Sequence, residues 1–218
     1  MPSDRRVLVA PERLGGWLDR FRQSHGRTEF TVSSGSMLAR AEDGAKATLV
    51  DQWEHAPEDA SPGAFLRHLA RERRVGLLLG RKGAHAVGIA RGSELEASKV
   101  DRTYVQGRTK AGGWSQQRYA RRRGNQTAHA VEETIERAIE RLLPEAPTLD
   151  AVVCGGDASF IAAVLADRRL APLVALRSRH PVLPVPDPRQ EVLREFVATV
   201  RAVPIDLNAR AQSRVKAP

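Results

Sequence analysis

The sequence predicts an α/β protein of the α+β type, whose larger part is a mixed sheet flanked by helices, of the ribonuclease-H-like kind. Three observations carry that expectation. From Arg74 onward, VGLLL, AHAVGIA and SKVDRTYV are consecutive strand-like runs joined by short turns such as Lys82-Gly83, the pattern of an antiparallel meander. Val131, Ile135, Ala138, Ile139 and Leu142 then recur at helical spacing until Pro144 stops them. Finally, LDAVVCGG followed by FIAAVLAD reads as a buried strand, a turn capped by Asp157 or Ser159, and a helix.

The elements follow in order. Residues 6–10 (RVLVA) read as a strand, and Pro11 suits a helix first turn ahead of Leu14, Trp17, Leu18 and Phe21, so a helix runs to about Gly26. The segment EFTVSSGSMLARAEDGAKATLVDQWE alternates loosely around Asp43-Gly44 and predicts a hairpin. After Ser61-Pro62-Gly63, a short helix from Ala64 to about Arg71 turns Phe65, Leu66 and Leu69 inward. Residues 1–72 thus form a small N-terminal α/β extension with no recognisable chemistry, and residues 73–207 a second domain. Projected upstream, the stripe of the long helix reaches Thr127, Gly124 and Ala120, which extends that helix toward a basic stretch. Beyond the strand-turn-helix unit, LVALRSRHPVLPVPDP is irregular, EVLREFVATVRAV is helical, and Pro204–Leu207 is a last strand. Residues 208–218 read as a disordered tail.

Composition excludes several classes of function. The 218 residues, 41% of them apolar, suffice for one sizeable core or two small ones. The single cysteine, Cys154, lies in an apolar strand run and reads as a buried thiol, which leaves no internal disulfide and no zinc finger. His25, His55, His68, His85, His129 and His180 are scattered without metal-ligand spacing, so no metal site is expected. The N-terminus lacks an apolar signal region, and no apolar run approaches the roughly 20 residues of a membrane span, so a cytoplasmic location is expected. A net charge of +9 favours polyanionic partners, nucleic acid or ribosome first and an anionic membrane surface second.

The charge is concentrated. Residues 102–131 hold seven basic residues (Arg102, Arg108, Lys110, Arg118, Arg121, Arg122 and Arg123) and no Asp or Glu. Solvated faces usually mix signs, whereas clustered arginines suit bidentate phosphate recognition, and Trp114 and Tyr119 add faces on which unpaired bases stack. Within this stretch, KAGGWSQQRYARRRG places Gly112-Gly113 before two amides, Gln116 and Gln117. The glycines allow a plain turn or a close backbone approach to a ligand, and a positioned amide orients water or meets developing charge. The order of residues is not that of a Walker loop. Cys154-Gly155-Gly156-Asp157 reads as a structural strand-to-helix turn, and Glu132-Glu133 as an outer helix face serving solubility.

GGWSQQRYARRR resembles the tip of class-1 eukaryotic-type peptide release factors, a Gly-Gly-Gln-Ser sequence followed by two residues, an Arg, an aromatic, Ala-Arg and a further Arg. Gly112, Gly113, Ser115, Arg118, Tyr119, Ala120, Arg121 and Arg123 fall on that pattern. Trp114 stands where those factors keep their glutamine, and the glutamines come two and three places later. That shift resembles the Vms-like release factor family, in its short bacterial, actinobacterial-type branch, over roughly residues 75–207. The resemblance implies a release-factor middle-domain fold and a cytoplasmic, cofactor-free, monomeric peptidyl-tRNA hydrolase that frees nascent chains from stalled large ribosomal subunits. It makes Gln116 the first choice for the active amide and Gln117 the alternative, with Gly112 and Gly113 admitting the tip to the peptidyl-transferase centre. Arg108, Lys110, Trp114, Arg118, Tyr119, Arg121, Arg122 and Arg123 would hold ribosomal RNA and the tRNA acceptor end. Cleavage of the tRNA strand near its CCA end and a non-enzymatic ribosome or RNA binder are the alternatives. A metal-dependent nuclease is disfavoured, because no acids accompany the basic stretch.

Overall fold

The computed structural model describes residues 5–53, 61–81, 83–102 and 115–212, with the backbone alone for residues 102 and 115–125. In chain order the elements are β1 (Arg5–Val9), α1 (Leu14–His25), β2 (Thr28–Ser33), β3 (Ser36–Ala41), β4 (Lys46–Val50) and α2 (Pro62–Ala70). There follow β5 (Arg74–Arg81), β6 (Ala84–Arg91), β7 (Glu94–Arg102), α3 (Ser115–Arg141), β8 (Ala151–Gly156) and α4 (Ala158–Leu165). The chain ends with α5 (Ala171–Ala175), α6 (Gln190–Arg201), β9 (Val203–Leu207) and α7 (Ala209–Gln212). Two compact units result, residues 1–72 with 198–218, and residues 73–197. No described helix is long and apolar enough to cross a membrane.

The first unit is an antiparallel five-stranded sheet in the order β1-β9-β4-β3-β2. Its inner face buries Met37, Ala39, Leu49 and Ile205 against Leu14, Trp17, Leu18 and Phe21 of α1 and Phe65 and Leu69 of α2. Local chemistry sets the ends: Ser61 caps α2, its Oγ accepting from the Ala64 N–H at 3.2 Å. Asp43 closes the expected hairpin by accepting from the Ala45 N–H at 2.9 Å. A second hairpin, turning at Gly35 with φ 76°, makes this region three strands instead of two. The spacing between Ser33 and Ser36 was too tight to separate from one long irregular strand.

β9 departs further from the sequence reading, which joined it to the second domain. It pairs between β1 and β4 and sends Val203, Ile205 and Leu207 into the first core. The residues after it, expected as tail, begin with α7, whose Ala211 is buried and whose flanking Asn208 accepts from the Lys46 N–H at 3.0 Å.

The second unit is the mixed sheet β7-β6-β5-β8, a meander with β8 parallel to β5. Isolated parallel bridges Val152–Arg177 and Gly155–Leu183 lie beyond β8, on the edge away from β5. α3 and α4 cover one face, where Ala130, Ile135, Ala138 and Leu142 meet Leu78, Val87, Val152, Phe160 and Ile161. Leu193 and Phe196 of α6 lie over Gly88 and Gly155 on the other face. Covered on both sides, β5 and β6 are buried over most of their length, as their continuous apolar runs require.

Candidate nucleic-acid interface

β7 leads into the basic stretch and α3 leads out of it. Arg108, Lys110, Gly112, Gly113 and Trp114 lie outside the described residues. Ser115 opens α3, and Gln116 and Gln117 stand in its first turn, followed on the same helix by Arg118, Tyr119, Arg121, Arg122 and Arg123. The side chains of this part are outside the description, but their spacing on a helix is set. Gln116 precedes the buried Thr134 by eighteen residues, five whole turns, and so falls on the line of the sheet-facing stripe. By the same count Arg118 and Arg122 fall on the line of Glu136 and Glu140 on the exposed side.

What holds the helix is its second part. Ala130, Thr134, Ile135, Ala138 and Leu142 are buried, and the Thr134 hydroxyl donates to the Ala130 carbonyl at 2.7 Å, so its polar group is satisfied in the core. On the outer face Arg169 donates to Glu136 at 2.6 Å, to Glu132 at 3.2 Å and to Asp167. Bonds to Asp167 first, then to Glu136 and Glu132, push the Arg169 guanidinium above its ordinary value, while the side-chain and backbone bonds from Arg169 hold the Asp167 carboxyl below its own. Glu132, read from the sequence as a solubility residue, is therefore also a tie between α3 and the turn after α4. Near the end of the helix, Arg137 donates to Asp101 of β7 at 2.7 Å. Neither Arg169 nor Asp101 carried a sequence signal, since each finds its partner more than thirty residues away.

The strand-to-helix turn after β8 is structural. A side chain on Gly156, whose φ is 114°, would collide with the Gly80 backbone, and Asp157 caps α4 by accepting from the Ser159 and Phe160 N–H groups. Burial pushes the Cys154 thiol up to about 11, against the pull of Arg177, so it is no nucleophile. Among the described residues no three His, Cys, Asp or Glu side chains converge as metal ligands would.

Residues 73–206 match the family model described as the Actinobacteria/chloroflexi VLRF1 release factor. No curated protein matches the chain. Among solved structures, the archaeal translation termination factor aRF1 aligns at 15% identity over 87% of this chain and 62% of its own, with a TM-score of 0.45. An archaeal protein aligns at 14% identity over 90% of this chain and 64% of its own, with a TM-score of 0.41. The chain thus spans less than two thirds of the length of either. The matched segment contains the whole second sheet, the basic stretch and α3, and by that match the chain belongs to the Actinobacteria/chloroflexi VLRF1 release factor family.

Proposed function

We propose that the protein is a peptidyl-tRNA hydrolase that frees nascent chains from stalled large ribosomal subunits. The observation that carries this reading is the family match over residues 73–206, which includes a segment in which Gly112-Gly113 precede a helix with Gln116 in its first turn. The first N–H groups of a helix lack intrahelical partners and its N-terminus carries partial positive charge. Gln116 therefore stands where negative charge is favoured.

In this mechanism Arg118, Arg121, Arg122 and Arg123, with Arg108 and Lys110, grip ribosomal RNA and the tRNA acceptor end, and Tyr119 and Trp114 stack on unpaired bases. Gly112 and Gly113 let the backbone enter the peptidyl-transferase centre. The Gln116 amide or N–H orients a water whose oxygen attacks the ester carbonyl, and the helix N-terminus stabilises the resulting oxyanion. The bond to the ribose oxygen breaks, the water proton passes to the departing oxygen, and a peptide carboxyl and a tRNA hydroxyl are the products. An ester is already activated, so positioning suffices and no cofactor or strong base is needed. Gln117, one residue on, is the alternative amide. The action is placed in the cytoplasm, by a monomer.

The test uses stalled large subunits carrying labelled peptidyl-tRNA, incubated with wild type, Gln116→Ala and Gln117→Ala. Loss of release in Gln116→Ala supports the reading, and full release by both variants overturns it. Sizing the released tRNA separates ester hydrolysis from strand cleavage near the CCA end. A purely RNA-binding protein would retain full cellular activity in both glutamine variants and lose it only when Arg121, Arg122 and Arg123 are reversed in charge.

A further inference from the structure

The strand entering the tip and the helix leaving it meet at one side-chain cluster. Asp101, next to last in β7, accepts from Nε of Arg137 at 2.7 Å, and the same guanidinium also binds Glu140. In the sheet register Asp101 stands opposite His85 of β6, its Oδ2 lying 3.6 Å from His85 Nε2. His85 is 2% exposed, and neither ring nitrogen has a hydrogen-bond partner among the described residues. Lys99 of β7 reaches the other oxygen of Asp101 at 3.7 Å, and Glu133 of α3 also acts on His85. Burying an unpaired imidazole costs free energy that an apolar residue would not, so this position keeps a polar group against the packing preference of the sheet.

Geometry gives the cluster leverage. Gln116 precedes Arg137 by 21 residues, roughly 32 Å along the helix. A tilt of about 5° at Arg137 would displace Gln116 by roughly 3 Å, and a misplacement of about 1 Å already costs on the order of 10²-fold in a positioned reaction. We propose that Asp101 and Arg137 are positioning residues that set the direction in which α3 carries Gln116, and that protonation of the buried His85 loosens their bond. Charged His85 competes with Arg137 for Oδ2 of Asp101 and repels the guanidinium across the same small space. Burial holds the imidazole below its ordinary value, with Asp101 and Glu133 opposing that effect and Arg137 adding to it, so the bond is intact at neutral pH. This proposal rests on the release reading.

The test compares wild type with Asp101→Asn, Arg137→Met, Arg137→Lys and His85→Leu on stalled large subunits. Asp101→Asn and Arg137→Met are expected to lower the release rate at saturation at least 10-fold while affinity stays within about twofold, because the arginines of residues 118–123 are untouched. Arg137→Lys keeps the charge and is expected to recover part of the rate. Wild type is expected to lose release in acid, at a pH below the ordinary histidine range, and His85→Leu to lack that limb. Wild-type release rates in both charge-breaking variants, or an effect on binding alone, would overturn the proposal. A readout independent of activity is the distance between nitroxides at cysteines introduced for Ser115 and Ala162, the buried high-pKa Cys154 being a poor competitor for label. A distribution that broadens in Asp101→Asn supports the anchor even if wild type releases nothing, in which case only the release reading falls. An unchanged distribution overturns the anchor.

Discussion

The two parts of α3 are one continuous helix built to opposite specifications. Residues 126–141 carry four glutamates and two arginines, and their apolar stripe is buried against the sheet. Glu132, Glu136 and Glu140 each meet an arginine, from the same helix or from the turn after α4. Residues 115–125 carry four arginines, no acid and no large aliphatic side chain. A helix segment whose stripe holds only small residues gains little from packing, and its four arginines have the composition that the proposed RNA contact calls for. In the proposed function this is a division of labour: the second part fixes a direction, and the first part makes the contact with RNA.

The sharpest way to break this contrast is to give the first part the chemistry of the second. Reversing Arg121, Arg122 and Arg123 to Glu is expected to weaken binding to large subunits by about 10³-fold and to lower the slope of log K against log salt by about three, read by titration at several salt concentrations. Undermining the second part comes next. Leu142→Ala, at a fully buried position, is expected to destabilise the second unit by about 3 kcal/mol in denaturant unfolding. Gln116→Ala is expected to slow release by about 10²-fold with binding unchanged, which separates chemistry from grip in single-turnover assays.

Two smaller effects refine the picture of the anchor. His85 has a folded-state pKa depressed below the ordinary 6.5, chiefly by burial. Its contribution to stability is therefore complete above that value and is lost as pH falls through the folded pKa. Thermal melts at pH 7.5 and 5.5 are expected to differ in wild type by more than they do in His85→Leu. Arg169→Ala removes an ion-pair network whose arginine is about half exposed, and solvent screening makes this the smallest expected loss of stability, read in the same denaturant unfolding.

Much of the architecture was legible because it is written in local periodicity. The 3, 4 and 7 spacing of Leu14, Trp17, Leu18 and Phe21 gave α1, and the continuous apolar runs of β5 and β6 announced a sheet covered on both faces. The upstream extension of α3 was visible because Thr127, Gly124 and Ala120 continue its stripe. The basic stretch stood out for another reason: a run of like charge beside glycines and amides departs from the mixed signs usual on a solvated face. The hairpin at Gly35 was not visible, since two strands joined by a two-residue turn look locally like one irregular strand.

By itself, then, the sequence determined most of the helices and strands, the positions of the charge and the family. Tertiary structure alone decided that β9 leaves the segment that precedes it to join the first sheet, and that Arg169 and Asp101 are the residues that hold α3. The physical reason is the range of the forces involved. Helical and strand patterns are satisfied within a few residues, whereas a ladder partner or a carboxylate for a guanidinium is chosen among all groups that folding brings near, and for Arg137 that group stands 36 residues away.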